Sequence, residues 1–216
     1  MHAIITGGAG MVGGSVLRQL LADSRISKVT ALSRRSTGLS DPKLTEVLDC
    51  DFSVSDSLVP HMQDADILFH CIATYAHTVD KETYEKVSVT YFENVLIALK
   101  QVNPDASVVH FSASGANPKE NSWYKALNTK GRAEKVLWAS TFPRRITFRP
   151  AGIVPTRAEN IKGISDKLFK MIFRILPMIG TDSDQLATAV VGFALSGGQD
   201  GTILKHPDIV RLLSDK

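Results

Sequence analysis

The 216-residue sequence has only two cysteines, Cys50 and Cys71. Both lie in apolar, strand-like runs, where buried free thiols are commoner than a disulfide in a chain of this size. A disulfide-stapled secreted fold is therefore excluded, and a reducing compartment is expected. No apolar run reaches the ~18 residues that cross a bilayer, and the first strand pattern begins at Ala3, which leaves no room for a signal or transit peptide. The expectation is a soluble, cytoplasmic chain, with peripheral attachment to an organelle membrane left open. Lysine and arginine accumulate in no tract, and 25 of them against 22 acidic residues leave a net charge of +3. A dedicated nucleic-acid surface is thereby excluded, and a small-molecule partner fits better. Internal repeats and low-complexity segments are absent as well, and no linker separates a second folding unit.

What is present is an alternation. With 44% hydrophobic residues, the chain can bury one core and is marginal for two. Short apolar runs at Ala3–Ile5, Val29–Leu32, Glu46–Leu48, Ile67–His70, Val108–Phe111 and Ile146–Phe148 read as strands. Stretches of helical period lie between them: Val12–Leu21, a short piece near Leu58–Met62, Tyr84–Lys100 with Val87, Tyr91, Val95 and Leu99 along one face, and Ala126–Ala139. Strands alternating with helices predict an α/β fold, a doubly wound Rossmann-type parallel sheet of six to seven strands with helices on both faces. Residues 1–216 are expected to form one domain. After Pro150 the alternation weakens into a small C-terminal lobe, with 155–183 as a substrate-side insertion followed by a helix over Asp184–Leu195.

Between the first strand and the first helix stands Gly7-Gly8-Ala9-Gly10-Met11-Val12-Gly13-Gly14. A pyrophosphate needs backbone N–H donors at a helix N-terminus, and side chains there would hold the phosphates away. A tight turn whose glycines serve only packing is the alternative; the full Gly-x-x-Gly-x-x-Gly spacing and both flanks favour a dinucleotide loop. At the end of the second strand, where an acidic residue would read a ribose 2′-hydroxyl, the chain has Arg34 and Arg35. Two guanidiniums suit a 2′-phosphate and point to NADP(H), against the alternative of a solvated basic turn. Asp51 and Phe52, after the third strand, are candidates for the adenine side, although an aspartate there equally forms turns. Cys71 and Ala73, after the fourth, supply small residues where the sheet edge meets the adenosine.

Thr6–Gly13, Val109–Pro118 with its Ser-x-x-Gly-Ala piece, and Lys130-Gly131-Arg132-Ala133-Glu134 together resemble an atypical short-chain dehydrogenase/reductase. The similarity is to the Tat-interacting oxidoreductase-like subgroup and its small fungal relatives, and it extends through Arg149-Pro150-Ala151-Gly152. The resemblance implies a tyrosine acting as acid/base toward a carbonyl or alcohol, a lysine that lowers its pKa and holds the nicotinamide ribose, and a serine hydrogen-bonded to the substrate oxygen. It places these roles on Tyr124, Lys130 and Ser112 or Ser114, and sets Pro150 and Ile153 at the nicotinamide end. Alternation along the chain puts Ser112 and Ser114 on one side, one for substrate and one for the turn.

The tyrosine–lysine spacing departs from the pattern. Six residues rotate two side chains by roughly 240°, so Tyr124 and Lys130 do not pair on an unbroken helix. Either the helix begins after Tyr124 and a loop joins them, or Lys130 keeps only its ribose role, or the acid/base pair is lost. His70, His77 and His110 lack metal-ligand spacing; His70 and His110 read as hydrogen-bonded core residues, and no metal is expected. The apolar segment 167–179, with cations at Lys167, Lys170 and Arg174, fits a core helix, a substrate pocket, a dimer face or a membrane-surface contact. The leading reading is an NADP(H)-dependent oxidoreductase with a small, apolar substrate, as monomer or homodimer. A non-catalytic NADP(H)-binding scaffold is the alternative.

Overall fold

Residues 1–156, 180–197 and 200–214 are described by the computed structural model. Strand β1 (His2–Thr6) is followed by α1 (Met11–Ala22), β2 (Lys28–Leu32), β3 (Leu44–Val47), two 3₁₀ turns (Ser55–Ser57 and Val59–His61) and β4 (Ile67–His70). Then come α2 (Lys81–Glu85), a π turn (Lys86–Thr90), α3 (Tyr91–Val102), β5 (Ser107–Phe111), α4 (Lys125–Ala139) and β6 (Arg144–Arg149). The chain continues through β7 (Gly152–Val154), β8 (Gly180–Asp182), α5 (Ser183–Leu195), β9 (Thr202–Lys205) and α6 (His206–Ser214).

Seven strands form one sheet in the order β3-β2-β1-β4-β5-β6-β9, every pair parallel. The order reverses direction between β1 and β4, and ligands of open α/β sheets bind at the carboxyl edge of such a switch point. The fold is the doubly wound α/β sheet that the alternation predicts.

Side-chain alternation assigns each face its helices. Ala3, Ile5, Val109, Ile146 and Phe148 pack with α1 and α5 on one side. Ile4, Leu68 and Val108 pack with Phe92, Val95, Leu99, Ala133 and Leu137 of α3 and α4 on the other. Each valine, leucine, isoleucine or phenylalanine among them, fully withdrawn from water, stabilises the fold by roughly 1.5–3 kcal/mol before entropy is counted.

Three features differ from the sequence reading. The helix expected over Tyr84–Lys100 is broken by the π turn, whose extra residue rotates the buried stripe. Val95 and Leu99 are buried, whereas Val87 and Tyr91 are only partly so. The short helix near Leu58–Met62 is a pair of 3₁₀ turns, with Pro60 at the start of the second. The seventh strand, β9, was not located by pattern because it is a four-residue edge strand with Ile203 and Lys205 exposed.

The small parallel pair β7–β8 brings the chain at Val154 beside Asp182. A hydroxyl cluster fixes this junction to α1: Ser15 Oγ donates to Asp184 Oδ1 at 2.6 Å, and Thr156 Oγ1 and Ser183 Oγ lie 2.7 Å apart. The segment 167–179 lies outside the described residues.

Candidate dinucleotide site and catalytic edge

The glycine loop is built so that side chains are excluded by geometry. Gly7 has φ +73°, and a Cβ on it would lie 2.8 Å from the Cys71 carbonyl oxygen. A Cβ on Gly13 would collide with the carbonyl of Gly7. Backbone bonds close the turn, with Gly10 N–H donating to Gly7 O at 2.9 Å and Gly14 N–H to Gly10 O at 2.9 Å. Gly10 caps α1 without a side-chain acceptor, and no acid stands in the first helical turn. The helix itself thus brings no carboxylate of its own first turn to the positive end of its dipole, which suits an anion-binding N-terminus.

A cleft of about 260 Å³ opens over this loop. Gly7, Ala9, Gly10, Arg34, Arg35, Phe52, Cys71 and Ala73 line it, together with Val79, Thr83, Val87 and Tyr91 from the α2–α3 side. Gly8, Met11, Val12 and Gly13 are not among the lining residues. Val87 and Tyr91 read from sequence as core; their four-residue spacing is real, but the π turn aims that stripe at the cleft. Asp51 is not among the residues lining the cleft, and its Oδ1 accepts from the backbone N–H and hydroxyl of Ser53. These bonds are those of the turn-forming alternative. Pro150 and Ile153 likewise lie outside this cleft, with Pro150 O accepting from Ser114 N–H at 2.8 Å. Desolvation pushes the Cys71 thiol well above the usual range.

At the carboxyl edge of β5 the two serines separate. Ser112 is buried and its hydroxyl has no partner among the described residues. Ser114 is exposed, because the chain turns at Gly115 with φ +83°. The shared side expected for them ends where the strand does.

Helix α4 begins at Lys125, with Tyr124 as its N-cap residue in extended conformation. Tyr124 is 48% exposed, stacked obliquely near Trp123 with ring centres 5.9 Å apart. The residue one turn before Lys130 is Ala126, which carries no acid. Burial draws the Lys130 ammonium down to about 8, opposed by the Glu134 carboxylate. Glu134 is fully buried and pairs with Arg149, whose Nε donates to Oε1 at 2.7 Å. Gly131 is required by packing, since a Cβ there would collide with the Asn117 backbone. Nearby, burial raises the Tyr84 phenol, with the Ser88 hydroxyl opposing and Tyr124 adding to the rise.

Beneath α3 and α4 the sheet register sets Thr6, His70, His110 and Thr147 side by side across four strands. All four are buried. His70 Nδ1 and Thr6 Oγ1 are hydrogen-bonded at 3.0 Å. Neither ring nitrogen of His110 has such a partner among the described residues, which corrects the expectation of a hydrogen-bonded core histidine. Its ring instead stacks on Phe92 at 4.3 Å. Burial, with the Lys130 charge adding, lowers His70 to about 3, and His110 lies well below the usual histidine range for the same causes and the nearness of His70. Both imidazoles are neutral. No cluster of potential metal ligands occurs among the described residues.

Comparison with known proteins agrees with this geometry. Residues 3–133 match the family described as "NAD dependent epimerase/dehydratase family". "Protein FMP52, mitochondrial" of Kluyveromyces lactis is 29% identical over the full length of both chains. "Protein HTATIP2" of Rattus norvegicus is 26% identical over 80% of this chain and 70% of its own. Among solved structures, a short chain dehydrogenase family protein from Francisella tularensis superposes with a TM-score of 0.71 at 16% identity, covering 94% of this chain and 96% of its own. The Bordetella bronchiseptica enzyme WbmH, solved with NAD+, gives 0.70 at 23% identity over 94% and 74%. These likenesses bear out the resemblance and the fold. They overturn the cytoplasmic expectation, since the relatives from K. lactis, Candida glabrata and Meyerozyma guilliermondii are all named mitochondrial. The expectation rested on one kind of address not being visible, and that does not specify a compartment.

Proposed function

The chain belongs to the NAD dependent epimerase/dehydratase family, and on that footing we propose that it is an NADP(H)-dependent oxidoreductase of the carbonyl reductase or alcohol dehydrogenase type with a small, apolar substrate. The observation that carries this reading is the pairing, on one cleft, of the glycine loop with Arg34 and Arg35. The loop and the N-terminus of α1 would hold the pyrophosphate, and the two guanidiniums the 2′-phosphate, through charge-assisted bonds. Phe52, Cys71 and Ala73 would flank the adenosine, with Pro150 and Ile153 toward the nicotinamide end. When bound, the nicotinamide supplies or accepts the hydride. Around it, the Ser112 hydroxyl would donate to the substrate oxygen, the Lys130 ammonium would hold the ribose, and the Tyr124 phenol would deliver or remove the proton.

A second reading, an NADP(H)-binding regulator without hydride chemistry, is favoured by one observation. Ala126 stands where a lysine-paired tyrosine would stand, and Tyr124 lies outside the helix. Titration with NADPH and NADH, followed by NADPH oxidation over a panel of apolar aldehydes and ketones, separates the two. Turnover supports the oxidoreductase; tight NADPH binding with no turnover on any member selects the regulator. Failure of both dinucleotides to bind would sink both readings.

A further inference from the structure

Arg34 and Arg35 are exposed side chains on a loop, and two exposed arginines do not by themselves make a phosphate site. What distinguishes this loop is how its ends are held. On one side, Ser33 is buried and its N–H donates to the Val47 carbonyl of β3 at 3.0 Å. On the other, Thr37 N–H donates to Glu46 Oε1 at 2.6 Å and Ser36 Oγ donates to Glu46 Oε2 at 2.8 Å. Both anchors belong to β3, one residue apart, and the arginine pair lies between them.

The second anchor is seated against the glycine loop. Glu46 stands opposite Ala31 in the parallel register of β2 and β3. Ala31 is small, and the Thr37 methyl passes over this region to within 3.5 Å of where a Cβ on Gly8 would stand. Ser36 Oγ in turn accepts from Gly38 N–H at 3.1 Å, and Thr37 Oγ1 from Leu39 N–H at 3.3 Å, so the turn after the arginines is closed on itself. The carboxylate is consumed by these donors, which hold its pKa below the usual range despite partial burial.

We propose that Glu46 is the positioning residue for cofactor choice: by gripping Ser36 and Thr37 it keeps Arg34 and Arg35 on the cleft wall, and so sets the preference for a dinucleotide bearing a 2′-phosphate. The proposal rests on the NADP(H) reading above. A carboxylate beside a phosphate site would ordinarily oppose anion binding; here its function is that of an acceptor for two local donors. Charge and grip are separable by substitution. In Glu46→Gln the amide oxygen still accepts from Thr37 N–H and the amide N–H can donate to Ser36 Oγ, whereas Glu46→Ala removes both contacts.

Calorimetric titration of NADPH and NADH into wild type, Glu46→Gln and Glu46→Ala, with thermal denaturation of each, tests this. Glu46→Ala is expected to weaken NADPH about tenfold, the weight of one charge-assisted contact, with NADH unchanged. Glu46→Gln is expected to keep the wild-type preference within about twofold. If wild type does not prefer NADPH, the NADP(H) reading falls and this proposal with it. If wild type prefers NADPH and Glu46→Ala preserves the ratio, or weakens both dinucleotides alike, the grip is refuted while the NADP(H) reading stands. Tighter NADPH binding by Glu46→Gln than by wild type would assign Glu46 the opposite role, a repelling charge, and also overturn the proposal.

Discussion

The two ends of the carboxyl edge are built in different ways. Around the glycine loop, position is fixed by main chain: Gly10 on Gly7, Gly14 on Gly10, Cys71 N–H on the Thr6 carbonyl at 3.1 Å. Around β5, α4 and β6 main-chain bonds are present too, Ser112 N–H on the Phe148 carbonyl and Ser114 N–H on the Pro150 carbonyl, both at 2.8 Å, but the candidate chemistry rests on side chains, and Ser112 Oγ, His110 and Thr147 Oγ1 are buried without a hydrogen-bond partner among the described residues. A turn closed by backbone depends on the removal of side chains at particular positions, and here Gly7 and Gly13 admit no Cβ. An edge shaped by side chains depends on which ones converge, and it carries unsatisfied polar atoms that cost free energy until a ligand or water meets them.

The largest effects should come from adding a single methyl at each end. Gly13→Ala drives a Cβ into the Gly7 carbonyl and is expected to abolish dinucleotide binding and destabilise the fold by about 3 kcal/mol or more. Gly131→Ala drives one into the Asn117 backbone; it should destabilise comparably, yet leave residual dinucleotide binding, since α4 does not line the cleft. Equal loss of binding in the two variants, measured by calorimetry with denaturation alongside, would erase the distinction between the ends. Next, Tyr124→Phe should lower turnover about a hundredfold if the phenol is the proton donor, with NADPH affinity unchanged. Turnover equal to wild type removes Tyr124 from the chemistry.

Acid should act on the side-chain-built end. His70 and His110 are neutral in the fold, and their pKa values are depressed from 6.5, so the unfolded chain binds more protons once the pH falls below that value. Stability is therefore lost as pH drops from 6.5 toward about 3 for His70, approaching about 1.4 kcal/mol per pH unit for each histidine. Urea midpoints between pH 7 and 5 should show this slope, and His110→Phe should flatten it. A slope unchanged in that variant would take His110 out of the account. The smallest effect is expected at the rim: Arg35→Ala should weaken NADPH about tenfold and NADH hardly at all, read as a ratio of dissociation constants.

This contrast also explains what the sequence made legible. Strands β1, β2, β4, β5 and β6 follow from apolar runs because each is buried on both faces by helices, and the glycine loop follows from spacing because its backbone admits no Cβ at Gly7 or Gly13. The π turn left no mark, since no glycine or proline accompanies it, and its extra residue turned Val87 and Tyr91 from expected core into cleft lining. Asp51 is ambiguous in principle: one carboxylate after a strand serves a base or a turn with the same residue type, and its bonds to Ser53 are those of the turn. The catalytic edge was least legible because a six-residue offset between Tyr124 and Lys130 has no meaning until the start of α4 is known. That start, at Lys125, places Tyr124 off the helix and Ala126 on the face of Lys130.

The junction of Ser15, Thr156, Ser183 and Asp184 bears on how such a protein can change over evolution. It pins residues 156 and 183 against α1, so the chain between them is closed before any of it is specified. Loop-closure entropy grows only with the logarithm of length, about 0.6 kcal/mol for each doubling. The length of chain between the pins can therefore change at small thermodynamic cost while the contacts to α1 are kept.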